Sequence, residues 1–214
     1  MGITERKVRD RERRLNDIID AAEKVFFKKG VDAATMDDIA HEAELSKGTL
    51  YLYFKNKEDL HYAIIIRGMT IMTELFKKHL SETKNGLQNI ISIGKAYIEF
   101  FEKHYSYFQV MMEFHATKFD KIADEKKGKI LEKDSPLIIV SQTIQQGQDD
   151  KSIRQDINPS ALTFILWSQL NGFLEFVALR GKLLDVFELD KSEMIENQFN
   201  VLLNGIINNE ANHE

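Results

Sequence analysis

Residues 46–57 read Ser-Lys-Gly-Thr-Leu-Tyr-Leu-Tyr-Phe-Lys-Asn-Lys, and this stretch decides how the first part of the chain folds. Serine and asparagine are good helix N-caps. Ser46 therefore predicts a short helix over residues 47–54, and Asn56 predicts a longer helix over residues 57–80. A short helix followed at once by a long one is the first sign of a compact helical domain.

The short helix has two unlike faces. Leu50 and Phe54 lie on one face at about 100° per residue, and we expect them to be buried. The other face carries Gly48, Thr49, Leu52 and Tyr53. Glycine costs a helix interior about 1 kcal/mol relative to alanine, and large apolar groups on a solvated face contribute nothing to a core. The pattern therefore predicts that a partner approaches this face closely.

A DNA duplex fits the residue types on that face. Glycine lets a backbone come close, Thr49 is suited to a base edge or a phosphate, and Leu52 to a thymine methyl group. Tyrosine hydroxyls reach phosphates, and Lys47 and Lys57 add positive charge. Thr35 and Lys57 also stand at helix N-termini, where backbone N–H groups attract phosphate.

Two helices are predicted upstream of this stretch. Apolar residues at helical spacing over residues 15–26 precede two lysines and Gly30, which indicates a helix that stops at the glycine. Thr35 and Asp38 form a capping-box-like start for a short second helix through Ala43. Three helices this close together, joined by a tight turn, predict a helix-turn-helix domain.

The remainder of the sequence predicts further helices. Pro136 and Pro159 follow the capping residues Ser135 and Asn158, so each proline stands at a first helical position. Alternating charge over residues 118–134 favours an exposed helix or a mobile connection. We predict an all-α fold with two domains. A helix-turn-helix DNA-binding domain with a basic N-terminal arm covers residues 1–60, and a larger helical ligand-binding and dimerisation domain covers residues 61–214.

Charge and composition limit the class of protein. The chain has 214 residues, a net charge of −5 and 43% hydrophobic residues, enough for a packed core. Residues 1–14 carry six basic and three acidic side chains, a local excess of +3 that suits phosphates. Gln169, Asn171 and Glu175 interrupt the longest apolar stretch, so we expect no membrane span. We therefore expect a soluble, cytoplasmic protein.

The sequence gives no sign of catalysis. Cysteine does not occur in the chain, so disulfides and thiolate metal sites are excluded. The six histidines form no pair at i, i+4, and neither a phosphate-binding glycine motif nor a nucleophile elbow is present. We expect no metal, no cofactor and no enzymatic activity.

The stretch from Ile18 through Leu60 resembles the N-terminal domain of the TetR family. The strings AAEKVFFKKG, TMDDIA and SKGTLYLYFKNKEDL carry the resemblance. It implies a homodimer whose recognition helices enter successive major grooves of a pseudo-palindromic operator. It also implies phosphate contacts for Thr35, Tyr53 and Lys57, groove-facing roles for Lys47, Gly48, Thr49 and Leu52, and for Tyr51 a role shared between the DNA backbone and packing.

Apolar helices near the C-terminus suggest a dimer interface, as the resemblance also implies. The helix over residues 159–180 is apolar nearly all round, and a second apolar stripe covers residues 193–207. The candidate interface residues are Leu162, Ile165, Leu166, Phe173, Leu174, Val177, Ile195, Phe199, Leu202, Leu203 and Ile206. The same spacing is also typical of a monomeric helical core, so both interpretations stay open.

Aromatic and methionine side chains provide candidates for the ligand pocket that the resemblance implies. These candidates are Phe100, Tyr107, Phe108, Met111, Met112, Phe114, His115, Trp167 and Asn171. Our first hypothesis is a repressor that binds its operator as a dimer and is released by a small apolar or amphipathic effector. The alternative is a helical small-molecule carrier or sensor whose N-terminal domain binds another protein.

Overall fold

The computed structural model describes residues 3–114 and 134–208, and regular secondary structure in these ranges is helical. The helices are α1 (Ile3–Lys29), α2 (Met36–Glu42), α3 (Lys47–Tyr51), α4 (Lys57–His79), α5 (Gly86–Lys103), α6 (Tyr105–Met112), α7 (Pro136–Asp149), α8 (Pro159–Val186) and α9 (Lys191–Asn204). A β-bridge pairs Ile153 with Ile207. The all-α prediction is confirmed. His115 and residues 118–133 of the charged stretch lie outside the described residues, so the predictions for them stay predictions.

The chain forms two compact units. Within the described ranges, the first unit comprises residues 3–71 and 104–114, and the second comprises residues 72–103 and 134–208. Residue 60, the predicted domain boundary, lies inside α4. The first unit therefore extends past that point and includes α6, which comes from a later part of the sequence.

Local capping residues set the helix ends of the first unit as predicted. Gly30 ends α1 with a φ of +78°, a conformation that L side chains adopt rarely. Thr35 and Asp38 form a complete capping box at the start of α2. The N–H of Thr49 donates to Ser46 Oγ at 3.1 Å, and the N–H of Asp59 donates to Asn56 Oδ1 at 2.7 Å. Sequence alone thus locates these helix starts.

The capping box makes a pH-dependent contribution to stability. Hydrogen bonds from Lys29 and then from Thr35 lower the pKa of Asp38 from 3.8 to about 2. Because the folded-state pKa is depressed, the contribution is present above the unfolded pKa and is lost as pH falls through the folded one. We expect Asp38→Asn to lower the melting temperature at neutral pH, and this difference to disappear between about pH 4 and pH 2. Thermal melts across this range check it.

Glu196→Gln is the control for that series, because Glu196 is an exposed residue of α9 outside the capping box. Its melting temperature should follow that of the unchanged protein at each pH. A difference between Asp38→Asn and the unchanged protein that persists undiminished at about pH 2 contradicts the assignment.

The helix boundaries of α1, α3 and α8 differ from the sequence predictions in ways that the packing explains. α1 begins at Ile3 rather than near residue 15, because charged residues with no apolar periodicity also form helix. α3 ends at Tyr51 rather than Phe54. α8 continues to Val186, with non-helical backbone angles at Arg180. Apolar periodicity marks the part of a helix that packs, so it misses a solvated extension.

The second unit is built by α5 against α7, α7 against α8, and α8 against α9. Gly86 at the start of α5 lies against the backbone of Gly147 in α7, where a Cβ atom would collide. Gly94 of α5 receives the ring of Phe199 from α9 in the same way. These glycines let helices approach closely, so the second unit has a packed interior of its own.

The helix α8 is, by length and composition alone, apolar enough to cross a membrane. This differs from the expectation drawn from its polar residues. Leu162, Leu170 and Leu174 lie buried on its inner face, whereas Ile165 and Leu179 are exposed. α8 therefore has two apolar faces. The inner face packs within the chain, and the outer face is exposed to solvent.

Candidate DNA-binding site

The buried face of α3 fixes the helix on the core of the first unit. Leu50 is fully buried and Phe54 nearly so, as predicted. Both belong to a cluster that also includes Ile18, Phe26 and Ile39 of α1 and α2. Large-to-small changes in such a cluster cost about 2–5 kcal/mol. This packing determines which side chains of α3 are left outside.

A tight turn presents α3 to solvent. Glu44 has a φ of +53°, and the N–H of Leu45 donates to the carbonyl of Ala40 at 2.9 Å. Gly48 and Leu52 are exposed, Leu52 to 78%. A Cβ atom built on Gly48 would have Ser46 Oγ, 3.9 Å away, as its nearest neighbour. The space beside this backbone is therefore open to a partner.

The remaining predicted contact residues on α3 and after it differ in exposure. Tyr51 is 43% exposed, and Thr49 and Tyr53 are half-buried. Tyr53 packs against the core cluster because the helix ends at Tyr51, so a helical wheel does not apply beyond that point. The hydroxyls of Thr49 and Ser46 are 2.8 Å apart. The exposed face is thus formed mainly by Gly48, Tyr51 and Leu52.

The three charged or capping candidates already have partners in the chain. Lys47 Nζ lies 2.6 Å from Asp37 Oδ1, which raises the pKa of Lys47, and both side chains are largely exposed. Lys57 Nζ donates to the carbonyls of Val31 and Ala34 at 2.7 and 2.9 Å. Thr35 is exposed and occupied by the capping box. Lys57 therefore stabilises the loop between α1 and α2 in this conformation.

Residues of α6 and Glu113, which directly follows it, contact the same loop, the start of α4 and α1. The N–H of Val31 donates to Glu113 Oε2 at 3.1 Å, and buried His61 donates from Nε2 to the carbonyl of Val110 at 2.7 Å. The hydroxyl of Tyr107 donates to Glu23 Oε1 at 2.7 Å. Burial, followed by this carboxylate, raises the pKa of Tyr107. The first unit thus depends on residues far along the sequence.

The predicted ligand residues divide between the two units. Tyr107, Phe108, Met111, Met112 and Phe114 belong to the first unit, while Phe100, Trp167 and Asn171 belong to the second. Most of the first group packs within its own unit: Met111 and Tyr107 lie against Gly68, and the ring of Phe114 is 5.2 Å from that of His61. The eight candidates that the structure describes are therefore not brought together as one cluster within either unit.

A buried polar pair in the second unit was not predicted as a pair. The hydroxyl of Tyr97 donates to Asn171 Oδ1, and both residues are buried. Burial raises the pKa of Tyr97, so the hydroxyl stays protonated. Phe76 and Phe100 flank Tyr97, with ring centroids 6.5 and 6.3 Å away. A tyrosine on the apolar face of α5 was the signal available in the sequence.

The candidate dimer residues also separate into groups. Leu162, Leu174, Val177 and Ile206 are buried within the chain, so they stabilise its own core and present no surface to a partner, which corrects that part of the prediction. Phe199 packs on Gly94. Half-buried positions are Leu166, Phe173, Ile195, Leu202 and Leu203, and Ile165 alone of the eleven candidates is exposed.

The exposed apolar stripe of α8 consists of Ile165, Gly172, Phe176, Leu179 and Leu183. Ile165, Gly172 and Leu179 recur every seven residues and Phe176 follows four residues after Gly172, whereas Leu183 lies beyond the non-helical angles at Arg180. This spacing is typical of a helix that packs on another helix. A Cβ atom at Gly172 would have nothing within 4 Å. Four of these five residues were missed because α8 is apolar on all sides.

A short helix placed by a tight turn, with a buried face on a helical core and an exposed face containing glycine, defines a helix-turn-helix domain of the DNA-binding class. Residues 18–64 match the family model described as bacterial regulatory proteins, tetR family. This part of the chain is therefore similar to the DNA-binding domain of TetR-family transcriptional regulators, as its three sequence strings predicted.

Two curated relatives and one solved structure illustrate the similarity. The HTH-type transcriptional activator FasR of Mycolicibacterium smegmatis is 29% identical over 117 residues, 55% of this chain and 53% of FasR. The chain thus spans about half the length of that relative. The fatty acid metabolism regulator protein of Bacillus subtilis is 27% identical over 176 residues, 79% of this chain and 91% of that protein. The fatty acid degradation regulator FadR from Bacillus halodurans shares the fold, with a TM-score of 0.66 at 18% identity over 89% of this chain and 94% of that one.

Proposed function

We propose that this protein is a ligand-responsive transcriptional repressor that binds a pseudo-palindromic operator as a homodimer. The observation that carries the proposal is the exposed face of α3, where Gly48 and Leu52 stand open to solvent above buried Leu50. An exposed glycine and an exposed leucine contribute nothing to the packing of a core, whereas a helix face of this kind fits the major groove of DNA. No catalytic role is proposed for any residue.

In this proposal α3 enters the major groove. Gly48 allows close approach, Leu52 contacts a base methyl group, and Tyr51 reaches the phosphate backbone. Lys47 exchanges Asp37 for phosphate, since an exposed ion pair is worth only about 0–1 kcal/mol. Thr35, Tyr53 and Lys57 are proposed phosphate contacts, of which Lys57 also holds the loop before α2. Thr49 is the proposed base-reading side chain.

The exposed apolar stripe of α8 is the proposed dimer interface. Val201 of α9, which is 67% exposed, is a further apolar residue available to a partner. Two copies packed along this stripe would form an interface from two helices of each chain. Half-sites then lie about 34–36 Å apart, or a multiple of that distance. An apolar outer face covered by a second copy accounts for the composition of α8 without a membrane.

The proposed effector site is in the second unit, around the polar pair of Tyr97 and Asn171. A protonated hydroxyl and an amide within aromatic surroundings suit a small amphipathic molecule, whose polar group would replace one partner of the pair. The Bacillus subtilis relative is named as a regulator of fatty acid metabolism, so we propose fatty acids and related acyl compounds as the first effectors to test.

Selection from random duplex DNA tests the proposal. The full-length protein should enrich a pseudo-palindrome, and binding to the enriched DNA should weaken steeply with salt. Fatty acids of graded chain length should then release the DNA and raise the melting temperature of the protein. If no sequence is enriched at any salt concentration, the carrier or sensor alternative, in which the N-terminal unit binds another protein, replaces this proposal.

Thr49→Ala separates base reading from general affinity. We expect binding to the enriched operator to fall about 5- to 150-fold, because one base contact is worth about 1–3 kcal/mol. We also expect the base preference at one position of each half-site to relax. Tyr51→Phe is the comparison, since loss of a phosphate contact weakens binding to all sequences alike. Competition binding against operators mutated at single positions measures both effects, and equal losses on every operator for Thr49→Ala would remove its reading role.

A further inference from the structure

The N-terminal part of α1 extends well beyond the packed part of that helix. The core cluster takes its first α1 residue, Leu15, from the middle of the helix, and residues 5–14 are all exposed. At 1.5 Å per residue, ten residues span about 15 Å. The one large apolar residue in this extension, Val8, is 53% exposed. No core accounts for these ten residues, so their side chains are available to a partner outside the unit.

The charge of this extension is organised around the helix. Lys7, Arg11 and Arg14 are spaced i, i+4 and i+7, so they form one stripe, which we call the basic stripe of α1. Glu5 and Glu12 lie about 140° away around the helix, whereas Asp10 lies about 70° away, three residues after Lys7 and four before Arg14. Arg14 is 4.0 Å from Asp17, with both side chains about half exposed, which is a weak ion pair. With Asp10 counted, the basic stripe keeps an excess of two positive charges, and all of these side chains are exposed.

Ion pairs within the first unit show on which side the extension emerges. Lys29 Nζ lies 2.6 Å from Asp38 at the start of α2, and Lys24 Nζ lies 3.2 Å from Glu42 at its end. α1 and α2 therefore run in opposite directions. Followed toward its N-terminus, α1 passes the end of α2, from which the chain turns into α3. The extension projects on the side where the chain enters the proposed recognition helix.

We infer that the basic stripe of α1 is a second DNA-binding surface, which contacts phosphates flanking each half-site independently of base sequence. This inference rests on the proposed function. Phosphates are the partner that the charge favours, because the extension offers exposed cations and a single large apolar side chain, Val8, which is too little to dock in a protein groove. It also explains how a domain with 12 basic and 13 acidic side chains in residues 1–60 gains affinity for DNA, since the excess positive charge is concentrated at one end of one helix.

The test replaces the stripe in the full-length protein by Lys7→Gln, Arg11→Gln and Arg14→Gln together. On the selected operator with ten flanking base pairs on each side, the slope of log binding constant against log salt should fall by about 2–3 per bound protomer, since each phosphate contact contributes about 0.9. On DNA trimmed to the half-sites, variant and unchanged protein should have similar slopes. The matched control is Lys78→Gln, Lys95→Gln and Lys182→Gln, which removes the same charge from exposed residues of the second unit.

The outcomes separate the two proposals. Failure of the unchanged protein to bind any selected DNA overturns the proposed function. If the unchanged protein binds but the stripe variant keeps its salt slope, or loses it equally on trimmed DNA, the flanking-contact inference is overturned. The same holds if the control triple lowers the slope as much as the stripe triple. Both proteins are also tested for binding to anionic lipid vesicles. If the stripe variant loses vesicle binding while its salt slope on DNA is unchanged, the flanking-contact inference is overturned and the stripe is assigned to a membrane surface.

Discussion

Gly48→Glu is expected to abolish operator binding and leave the fold intact. Space for the new side chain exists, since a Cβ atom at Gly48 meets nothing closer than 3.9 Å. Glutamate is a better helix former than glycine by up to about 1 kcal/mol, and a negative charge near a helix N-terminus is favourable. The variant should therefore melt at the same temperature or higher. Its carboxylate would face phosphates where backbone contact is needed, so we expect binding to fall at least about 1,000-fold.

Gly48→Ala accompanies this variant as the control for size without charge. We expect it to melt slightly higher than the unchanged protein and to bind DNA about 10-fold less tightly, because one methyl group holds the backbone away from the groove. Thermal melts and fluorescence anisotropy with the selected operator measure both properties. Undiminished DNA binding by Gly48→Glu would show that this face of α3 does not meet DNA.

Leu179→Glu should convert the dimer to a monomer and remove operator binding with it. Leu179 is 69% exposed, so its replacement disturbs little within the chain. In a symmetric dimer it would place two charges in an apolar interface. An unpaired buried charge costs about 3 kcal/mol or more, so two weaken dimerisation by about 10⁴-fold. Sedimentation at micromolar concentration should then give the mass of one chain, 24.8 kDa.

Ala178→Glu is the matched control, since it adds the same charge at the neighbouring exposed position, about 100° around the helix. It should remain a dimer and bind DNA normally. A dimeric Leu179→Glu protein would be incompatible with an interface on the exposed apolar stripe of α8. A Leu179→Glu protein that is monomeric yet keeps full operator affinity would contradict binding as a dimer.

The helix-turn-helix part of the fold was predictable because its signals are local. Ser46, Asn56 and the box of Thr35 with Asp38 each satisfy backbone N–H groups within three residues, so the sequence alone locates the helix starts. The burial of Leu50 followed from a single helical wheel. The same wheel wrongly placed Tyr53 on the exposed face. α3 ends two residues before Tyr53, and the chain then turns the ring toward the core.

The second unit was less predictable because its decisive contacts are between distant residues. α8 carries apolar residues on every side, so a helical wheel does not distinguish the face that packs against α7 from the face exposed to solvent. Leu174 and Leu179 illustrate the difficulty, since the same residue type is fully buried at one position and mostly exposed at the other. The pair of Tyr97 with Asn171 joins residues 74 positions apart. Such pairings follow from tertiary packing alone.

The support that α6 gives to the first unit has a practical consequence for protein engineering. A gene fragment cut after α4 would lack Val110 and Glu113, leaving the buried ring of His61 and the backbone N–H of Val31 without the oxygens that accept their hydrogen bonds. A graft that moves only the first four helices onto another effector module would carry the same defect. Exchange of DNA specificity between such regulators therefore calls for transplanting the α3 surface alone, or α6 together with the N-terminal helices.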